Sequence, residues 1–478
     1  SALCRRFAGR VLAGDPDIEV KMAKSDDYRF LHIKDAIACL NQKVNLIGLI
    51  VECGIPKRTK GTDCFCFLKI IDESYQSPGI GVNIFAENMD NLPHVSAGDI
   101  ILLSHVLMKN HFGEVYALFN KKFSSFALYE GKKHGGLNPY QVSAKFHHRD
   151  QDKKSVTEMR EWCSVFQLGT GSKNCSLLRE IKEKEQFDLV CKVLHKCQIE
   201  NNEWMLFIWD GTDAPPVSIK EKVDDEAENP LPLLLEPVPL PREIYCTFPG
   251  VGTVLRVTII QNDEKMDANM VDIGKWVKFR DVKCETRAGI WHGVLLPCSK
   301  ILYLHDEDPL ILNRRRSFNE RMSAKWDRMP QSAIPWPSCI TETDHRLVSF
   351  VTLMDILTCC KVTAKFRCAV RVVAAHPWCV EDFRSSSGVY RMRLTLEDPT
   401  ARIHAYVYAE DGEKFYEGFP AVEVLRRKRD KLLGITNEGG GRNPAWVDFC
   451  IKSYYLLKTD PWGSRHYRIF DTKVSHHS

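Results

Sequence analysis

The sequence predicts an all-β chain of three tandem five-stranded barrels, joined by short helices and linkers. Three observations support this prediction: runs of strand length recur along the chain, turn-forming residues separate them, and one strand–turn–strand pattern occurs three times. At 478 residues the chain is also too long for one hydrophobic core, since domains hold about 150 residues each. Repetition at the scale of a domain supports the architecture better than any single strand does.

Composition and charge are those of an ordinary soluble globular protein. Hydrophobic residues make up 44% of the chain and charged residues 27%, and no apolar run reaches the roughly 18 residues that could span a bilayer. The net charge of +4 excludes a uniformly basic coat, so a nucleic-acid surface would have to arise from local clustering. The 18 scattered cysteines fit a reducing cytosol or nucleus.

The first barrel is predicted over residues 32–135, after an N-terminal extension, residues 1–31, that we expect to be disordered, with Met22 as the natural start. Its first strand is KVNLIGLIVECG, and a short helical turn, NMDNLPHV, separates the third strand from the fourth. Five strands with a helix between strands three and four is the order of an OB-fold, a small Greek-key barrel.

The second barrel is predicted over residues 150–312 and the third over residues 341–478, with a basic, proline-terminated linker, residues 313–340, between them. An acidic and then proline-rich insertion, EKVDDEAENPLPLLLEPVPLP, interrupts the second barrel. Its prolines exclude a central strand, so we expect an exposed excursion.

The first and third barrels share a local plan. LKIIDESYQSPGIGVNIFAENMDNL in the first and LTLEDPTARIHAYVYAEDGEKFY in the third both contain an apolar strand and an aspartate turn. Both then continue with an alternating strand that ends in an aromatic residue, Ala-Glu and a short helix. The middle barrel has LFIWDGTDAPPVSI at the same place. Three diverged copies of one OB-fold are the simplest explanation.

The sequence contains no catalytic constellation. A nucleotide-binding P-loop, a Gly-x-Ser-x-Gly elbow and a His-Glu-x-x-His helix are all missing, so we predict a protein that is not an enzyme and needs no cofactor. Cys359, Cys360, Cys368, His376 and Cys379 lie close in sequence, but they form no Cys-x-x-Cys pair for a structural zinc. We therefore predict no metal site, and we expect buried free cysteines.

A basic loop, PKRTKGTD, joins the first two predicted strands of the first barrel. In OB-folds this loop closes over the ligand groove. Lys57, Arg58 and Lys60 would then lie where phosphates pass, and Thr62 and Asp63 could hydrogen-bond to base edges. The alternative is a solvated turn.

Phe85, at the end of the third predicted strand, has an orientation that strand alternation predicts. If Val82 and Ile84 point into the core, Asn83 and Phe85 lie on the opposite face. An outward aromatic ring on an OB barrel can stack on the bases of a single strand; the alternative is a cap on the end of the barrel. Further candidates beside the same groove are His111, Phe112 and Tyr116.

Several motifs together resemble the protection of telomeres family, of plant type. They are TKGTD before a hydrophobic strand, NIF at the end of the third strand, WDGT at residues 209–212, and CIKSYYLL with YRIFDTKV near the end. This resemblance implies that the first two barrels bind the single-stranded G-rich telomere overhang and that the last serves protein interaction. It also implies that Lys60, Thr62 and Asp63 line the DNA groove and that Phe85 stacks on a base.

The resemblance further implies a location in the nucleus, at the telomeric region of the chromosome. Its expected partners are single-stranded telomeric DNA and, through the C-terminal barrel, telomerase and telomere-capping proteins, with no membrane involved. One alternative is a telomerase-associated accessory protein that acts mainly by protein contacts with weak DNA binding. Another is a general single-strand binder resembling replication protein A, without sequence preference.

Two departures from the animal members of that family stand out. They carry an aromatic residue in the first strand where this sequence has Glu52 and Cys53, so we expect one stacking position fewer. They also carry a zinc-bound insertion where this chain has only AAHPWCVEDF, so we expect a compact, metal-free C-terminal domain. In the second barrel Trp209 and Trp276 are candidates for base contacts, although core packing is favoured.

Overall fold

The structure is a computed structural model that describes residues 28–59, 61–132, 135–166, 175–199, 203–220, 224–234, 236–260, 271–323, 337–344, 348, 350–436 and 441–475. Most of the predicted disordered extension, residues 1–27, lies outside this set. Its last four residues, 28–31, are ordered against the first barrel, where Tyr28 is 7% exposed, so the prediction of disorder is wrong for them. None of the helices among these residues is both long and apolar enough to cross a membrane.

The first barrel closes through five strand pairings, β1–β3–β4–β6–β5 and back to β1. Its elements are α1 Ile33–Ala36, β1 Lys43–Gly54, β2 Lys57–Arg58, β3 Cys64–Asp72, β4 Tyr75–Ala86, β5 Ile100–His111, β6 Glu114–Phe119, β7 Ser125–Tyr129, β8 Gln141–Val142 and α2 Asp150–Val165. A 3-10 turn, Met89–Asn91, lies between β4 and β5, where the Asn88 side chain accepts a hydrogen bond from the backbone of Asn91. The predicted strands and the helical turn between strands three and four are confirmed.

Helix α2 packs on the first barrel, although its residues were assigned to the second. Its Val156 and Met159 join a core cluster with Ile100 and Tyr129, and Arg160 donates hydrogen bonds to the carbonyl of Glu130. The polar start of the helix resembles a linker in sequence, and only the tertiary contacts show which barrel its apolar side covers.

The second barrel closes in the same way, through β9–β10–β11–β13–β12 and back to β9. Its elements are β9 Gln186–Ile199, β10 Glu203–Trp209, α3 Arg242–Tyr245, β11 Leu255–Ile260, β12 Trp276–Arg287, β13 Ile290–Leu304 and α4 Pro309–Ser323. Helix α4 occupies the start of the predicted linker. Its Phe318 packs on Trp209 and Trp276, with ring centroids 4.9 and 5.6 Å away, so it seals one end of the barrel.

The third barrel is a closed ring of β15, β16, β17, β19 and β18. Its elements are β14 Thr341–Thr343, α5 Leu353–Thr358, β15 Lys365–His376, β16 Arg391–Glu397, β17 Arg402–Tyr408, α6 Glu410–Tyr416, α7 Val422–Leu433, β18 Trp446–Tyr455, β19 Arg465–Phe470 and β20 Thr472–Val474. Each barrel has its own apolar core. The predicted fold class, all-β with three tandem OB-folds, is confirmed.

The first two barrels share one continuous sheet because β1 pairs with β13. Glu52 pairs with Leu304 and Cys53 with Tyr303, and the Glu52 carboxylate lies 3.3 Å from the Lys278 ammonium in an ion pair whose side chains are about one-tenth exposed. Glu52 and Cys53 therefore lie at the junction between the first two barrels. The ion pair is needed because a buried carboxylate without a partner would destabilise the fold.

The insertion in the second barrel is exposed in part, with Val238 57% exposed, but the prediction of an exposed excursion is wrong for the residues that contact the third barrel. Leu231 is 6% exposed and Glu226 4% exposed; Glu226 accepts a hydrogen bond from Arg393 of the third barrel at 3.2 Å. The carbonyl of Pro232 accepts one from Arg402 at 3.1 Å. The insertion therefore fills the space between the second and third barrels, which its composition could not reveal.

Candidate nucleic-acid interface

The outer face of the first barrel carries a pair of phenylalanine rings. Val82 and Ile84 are fully buried, and Phe85 faces outward and is partly exposed, as strand alternation predicts. On the neighbouring strand Phe65 lies directly opposite Phe85. Their ring centroids are 5.0 Å apart with the planes tilted by 46°, so the two rings form one aromatic surface.

The same face continues past this pair toward the second barrel. Phe67 lies opposite Asn83, and the Lys300 ammonium, on β13, lies 4.6 Å from the centroid of the Phe67 ring. Burial and the nearby positive charges of Arg280 and Lys57 lower the pKa of Lys300. Several cations thus converge beside exposed rings, an arrangement that favours an anionic ligand with aromatic groups.

The sequence reading did not find Phe65, Phe67 or Lys300. The alternation of β3 could have revealed both phenylalanines, because Cys64, Cys66 and Leu68 are the buried set in that strand. Lys300 could not have been found in this way, since only the pairing of β1 with β13 brings it to the first barrel.

The basic loop forms a short strand, β2, that pairs with β3. Lys57 lies opposite Phe65, and its ammonium is 5.7 Å from the centroid of that ring. Arg58 and Thr62 are exposed, and Lys60 lies outside the described residues. Lys57 therefore borders the aromatic pair, whereas Arg58 lies opposite Cys64.

Asp63 is the last residue of this loop, and the Lys121 side chain contacts one oxygen of its carboxylate. Its Oδ1 lies 2.7 Å from the Lys121 ammonium, and its backbone carbonyl accepts a hydrogen bond from the Thr59 hydroxyl at 2.7 Å. The hydrogen bond from Lys121 to Asp63 raises the pKa of Lys121. The carboxylate is thus oriented before any ligand arrives, while both side chains stay about one-third exposed.

His111 and Phe112 form the tip of the hairpin between β5 and β6. Their ring centroids are 4.3 Å apart, and Phe112 is 96% exposed. Because Tyr116 lies opposite Gly81, this tip sits toward the other end of the sheet from Phe85, roughly 25 Å away at about 3.3 Å per residue. The structure does not bring the His111 and Phe112 rings together with Phe85.

The corresponding outer face of the second barrel is covered. Met205 and Phe207 of β10 pack against Phe248, against Val254 and, from the third barrel, against Met354. The Phe207 and Phe248 ring centroids are 5.3 Å apart. In the described part of this face, the strand that would present aromatic side chains to a ligand is instead packed within the protein.

The two tryptophans considered for base contacts belong to the core. Trp209 is fully buried and Trp276 is 7% exposed, and both lie in the apolar cluster of the second barrel. The indole N–H of Trp209 donates to the carbonyl of Thr212 at 2.8 Å. The preference for core packing at these positions is confirmed.

The cysteines of the third barrel are free but not uniformly buried. Cys368 is buried and Cys359 is partly so, whereas Cys360 and Cys379 are exposed, which corrects the expectation for these two. Within the described ranges no three His, Cys, Asp or Glu side chains are grouped as metal ligands.

Comparison with known proteins gives a consistent result along the chain. Three family models match: "Telomeric single stranded DNA binding POT1/CDC13" over residues 24–169, "ssDNA-binding domain of telomere protection protein" over residues 177–296, and "POT1A-like, OB fold domain" over residues 336–460. Protection of telomeres proteins 1b and 1a of Arabidopsis thaliana are each 39% identical to this chain, over 95% of it and 99% of the relative. The chain belongs to the plant-type protection of telomeres family.

Members of this family outside plants are more distant. Protection of telomeres protein 1 of Homo sapiens is 26% identical over 38% of this chain and 28% of its own length. The crystal structure of fission yeast Pot1 and ssDNA aligns with 61% of this chain and 93% of that one, at 15% identity and a TM-score of 0.23. A TM-score this low does not support a comparison of individual residue positions between the two proteins.

Proposed function

We propose that this protein of the protection of telomeres family binds single-stranded G-rich telomeric DNA, protects chromosome ends and regulates the access of telomerase. It would act in the nucleus, at the telomeric region of the chromosome, as a binding protein and not as an enzyme. The observation that carries the proposal is the outer face of the first barrel, where Phe65 and Phe85 stand beside Lys57. Family membership supports it.

The proposed domain roles follow from this assignment. The first barrel and the second, predicted as residues 32–135 and 150–312, would bind DNA, and the C-terminal barrel, residues 341–478, would bind proteins such as telomerase or capping factors. We propose that the DNA contacts of the first barrel are made by Lys57, Arg58, Lys60, Thr62, Asp63, Phe85, His111 and Phe112.

Each group on the face has a separate task in this proposal. Phe65 and Phe85 stack on bases, which every base permits because each has a flat face. Lys57 and Lys300 contact phosphates and make the affinity depend on salt. Asp63, oriented by Lys121, accepts hydrogen bonds from base-edge N–H groups, such as those of guanine, through its second oxygen. Stacking holds the strand, and the carboxylate selects among bases.

The test is fluorescence anisotropy with the full chain and four ligands: a TTTAGGG-repeat strand, its C-rich complement, a scrambled strand and the duplex, each at two salt concentrations. We expect tight binding of the G-rich strand that the other three do not match. Phe85→Ala should weaken that binding by about 1–3 kcal/mol, whereas Phe85→Tyr, which keeps the ring, should bind like the unaltered protein.

Two results would overturn the proposal. Weak binding to all four ligands would move the function to protein contacts of the C-terminal barrel. Unchanged binding by Phe85→Ala would mean that this ring only packs against Phe65.

A further inference from the structure

The third barrel repeats the local arrangement that surrounds Phe85 in the first. Tyr408 ends β17 and is followed by Ala409 and Glu410, as Phe85 is followed by Ala86 and Glu87. Tyr408 is 45% exposed. An aromatic ring therefore stands at the same outward position in both barrels.

The strand beside Tyr408 presents cations where the first barrel presents phenylalanines. Arg391 lies opposite Tyr408, and Arg393 lies opposite Tyr406; in the first barrel these positions hold Phe65, opposite Phe85, and Phe67. Arg391 is exposed. The neighbouring strand thus supplies guanidinium groups, which can stack on bases and also contact phosphate.

The aromatic surface widens across β17, β19 and β18. The His466 ring lies 5.7 Å from the Tyr406 ring and 6.0 Å from the Tyr454 ring, measured between centroids. The Arg468 guanidinium lies 5.3 Å from the Tyr408 ring centroid and donates to the Tyr408 carbonyl at 2.7 Å. Aromatic and cationic side chains are therefore interleaved on one face.

The charge of this face is positive after its ion pairs are counted. Asp411 lies 2.9 Å from Lys452 and 2.5 Å from Arg468, and Glu226 lies 3.2 Å from Arg393. With Glu410, which follows Tyr408 and Ala409 and is exposed, three carboxylates stand against four cations, the three just named and Arg391. A partly exposed aromatic face with excess positive charge suits a polyanion that carries flat bases.

We propose that this face of the third barrel is a second binding site for single-stranded nucleic acid. In this site Tyr408 stacks on a base while Arg391 and Arg468 contact the backbone. It adds to the proposed function, and it rests on that function only for the role given to Phe85. The ligand is single-stranded DNA or RNA, and the experiment separates the two.

The experiment uses the full chain and strands of two lengths, as DNA and as RNA of the same sequence. The short strand has about 10 nucleotides, within the site of one OB-fold, and the long one about 40. Two linked sites bind a long strand more tightly than either site alone. Tyr408→Ala should therefore weaken binding of the long strand by roughly 5- to 150-fold, the value of one lost base stack.

Three variants serve as controls. Tyr408→Phe keeps the ring and should bind the long strand normally. Arg391→Glu should reduce the salt dependence of long-strand binding. The affinity of Phe85→Ala for the short strand measures the contribution of the first barrel separately. Thermal unfolding of each variant confirms that the fold is intact.

Cross-linking gives an independent readout of the same site. Strands that contain 5-iodouracil should cross-link to Tyr406 or Tyr408 in the unaltered chain, and mass spectrometry of the peptides locates the link. Loss of long-strand affinity with DNA, RNA or both supports the site and names its ligand. Normal long-strand binding by Tyr408→Ala, with no cross-link in residues 391–408, would overturn it and leave this face to a protein partner.

A failure of the first-barrel proposal would be recognised separately. In that case Phe85→Ala would leave short-strand binding unchanged while Tyr408→Ala still reduced long-strand binding.

Discussion

The first and second barrels have the same strand order but use their outer faces in opposite ways. In the first barrel Phe65 and Phe85 pack on each other and remain partly exposed. In the second, Phe207 occupies the outward side of β10 yet is fully buried against Phe248 and Met354. The fold supplies an outward-facing strand in both cases, and the segments that pack on it decide whether the strand is free to meet a ligand.

The physical reason for the difference is the long segment between β10 and β11, which contains the insertion and the residues that follow it. It brings Phe248 and Val254 onto the sheet and supports the third barrel against the second. Burying a phenylalanine side chain contributes about 1.5–3 kcal/mol, so the covered face stabilises the assembly. The first barrel forgoes this stabilisation at Phe85, where the exposed rings are the binding surface that we propose.

The largest expected effect is on stability, from Phe207→Ala. Removing a fully buried ring should destabilise the second barrel by about 3–5 kcal/mol. The matched change Phe85→Ala should cost only about 1 kcal/mol, because that ring is partly exposed. Calorimetry of both variants measures the difference. Equal losses would show that the two faces are buried alike.

A pH dependence of stability is expected from the covered face of the second barrel. Burial, with a smaller effect of the Arg287 charge, lowers the pKa of His292 from 6.5 to about 4, and its Nε2 lies 2.6 Å from the Thr258 hydroxyl. The folded state disfavours the protonated imidazole, so stability is complete above pH 6.5 and is lost as the pH falls toward 4, by up to about 3 kcal/mol.

This dependence can be measured by thermal unfolding between pH 7 and pH 4. His292→Gln should remove part of the loss, because burial also lowers the pKa of His404 in the third barrel to about 4. If both proteins lose stability equally over this range, His292 is not the group that titrates.

A smaller effect on stability is expected when one polar contact of the segment that covers β10 is removed and the apolar packing of that segment is left intact. Arg242 of the covering segment donates to the carbonyls of Thr358 and Cys359 at 2.9 and 3.0 Å and lies 4.2 Å from the Trp462 ring centroid. Arg242→Ala should cost about 1–3 kcal/mol. Hydrogen exchange should then accelerate in residues 203–209 and not in residues 64–72. Uniform acceleration would mean that the segment is not a separate cover.

The smallest expected effect is in the first barrel. Lys121→Ala removes the partner of Asp63 in a solvent-exposed ion pair, so stability should hardly change. Preference for the G-rich strand over the scrambled one should nevertheless decrease, because the Asp63 carboxylate is no longer oriented. Anisotropy with both strands tests this, and an unchanged preference would remove Asp63 from the proposed base contacts.

Much of the architecture and part of the site could be predicted before the structure. Strand alternation placed Phe85 outward because a strand has a period of two residues, and loop position placed Lys57 near the groove, where it lies opposite Phe65. The same reasoning failed for the insertion, whose acidic and proline-rich composition resembles an exposed loop although Glu226 and Leu231 are buried. Composition shows which environments suit a segment, but whether the segment is buried depends on which other part of the chain packs against it.

By itself the sequence determined the all-β class, the three repeats, and the side of each strand that faces a core, because these depend on local periodicity and turn chemistry. Only the tertiary structure decided which outward faces stay open. It placed Lys300 beside Phe67 through the pairing of β1 with β13, used Glu52 to join two barrels, and covered Phe207 with residues distant in sequence. These outcomes depend on contacts between segments far apart in the chain, which local patterns do not specify.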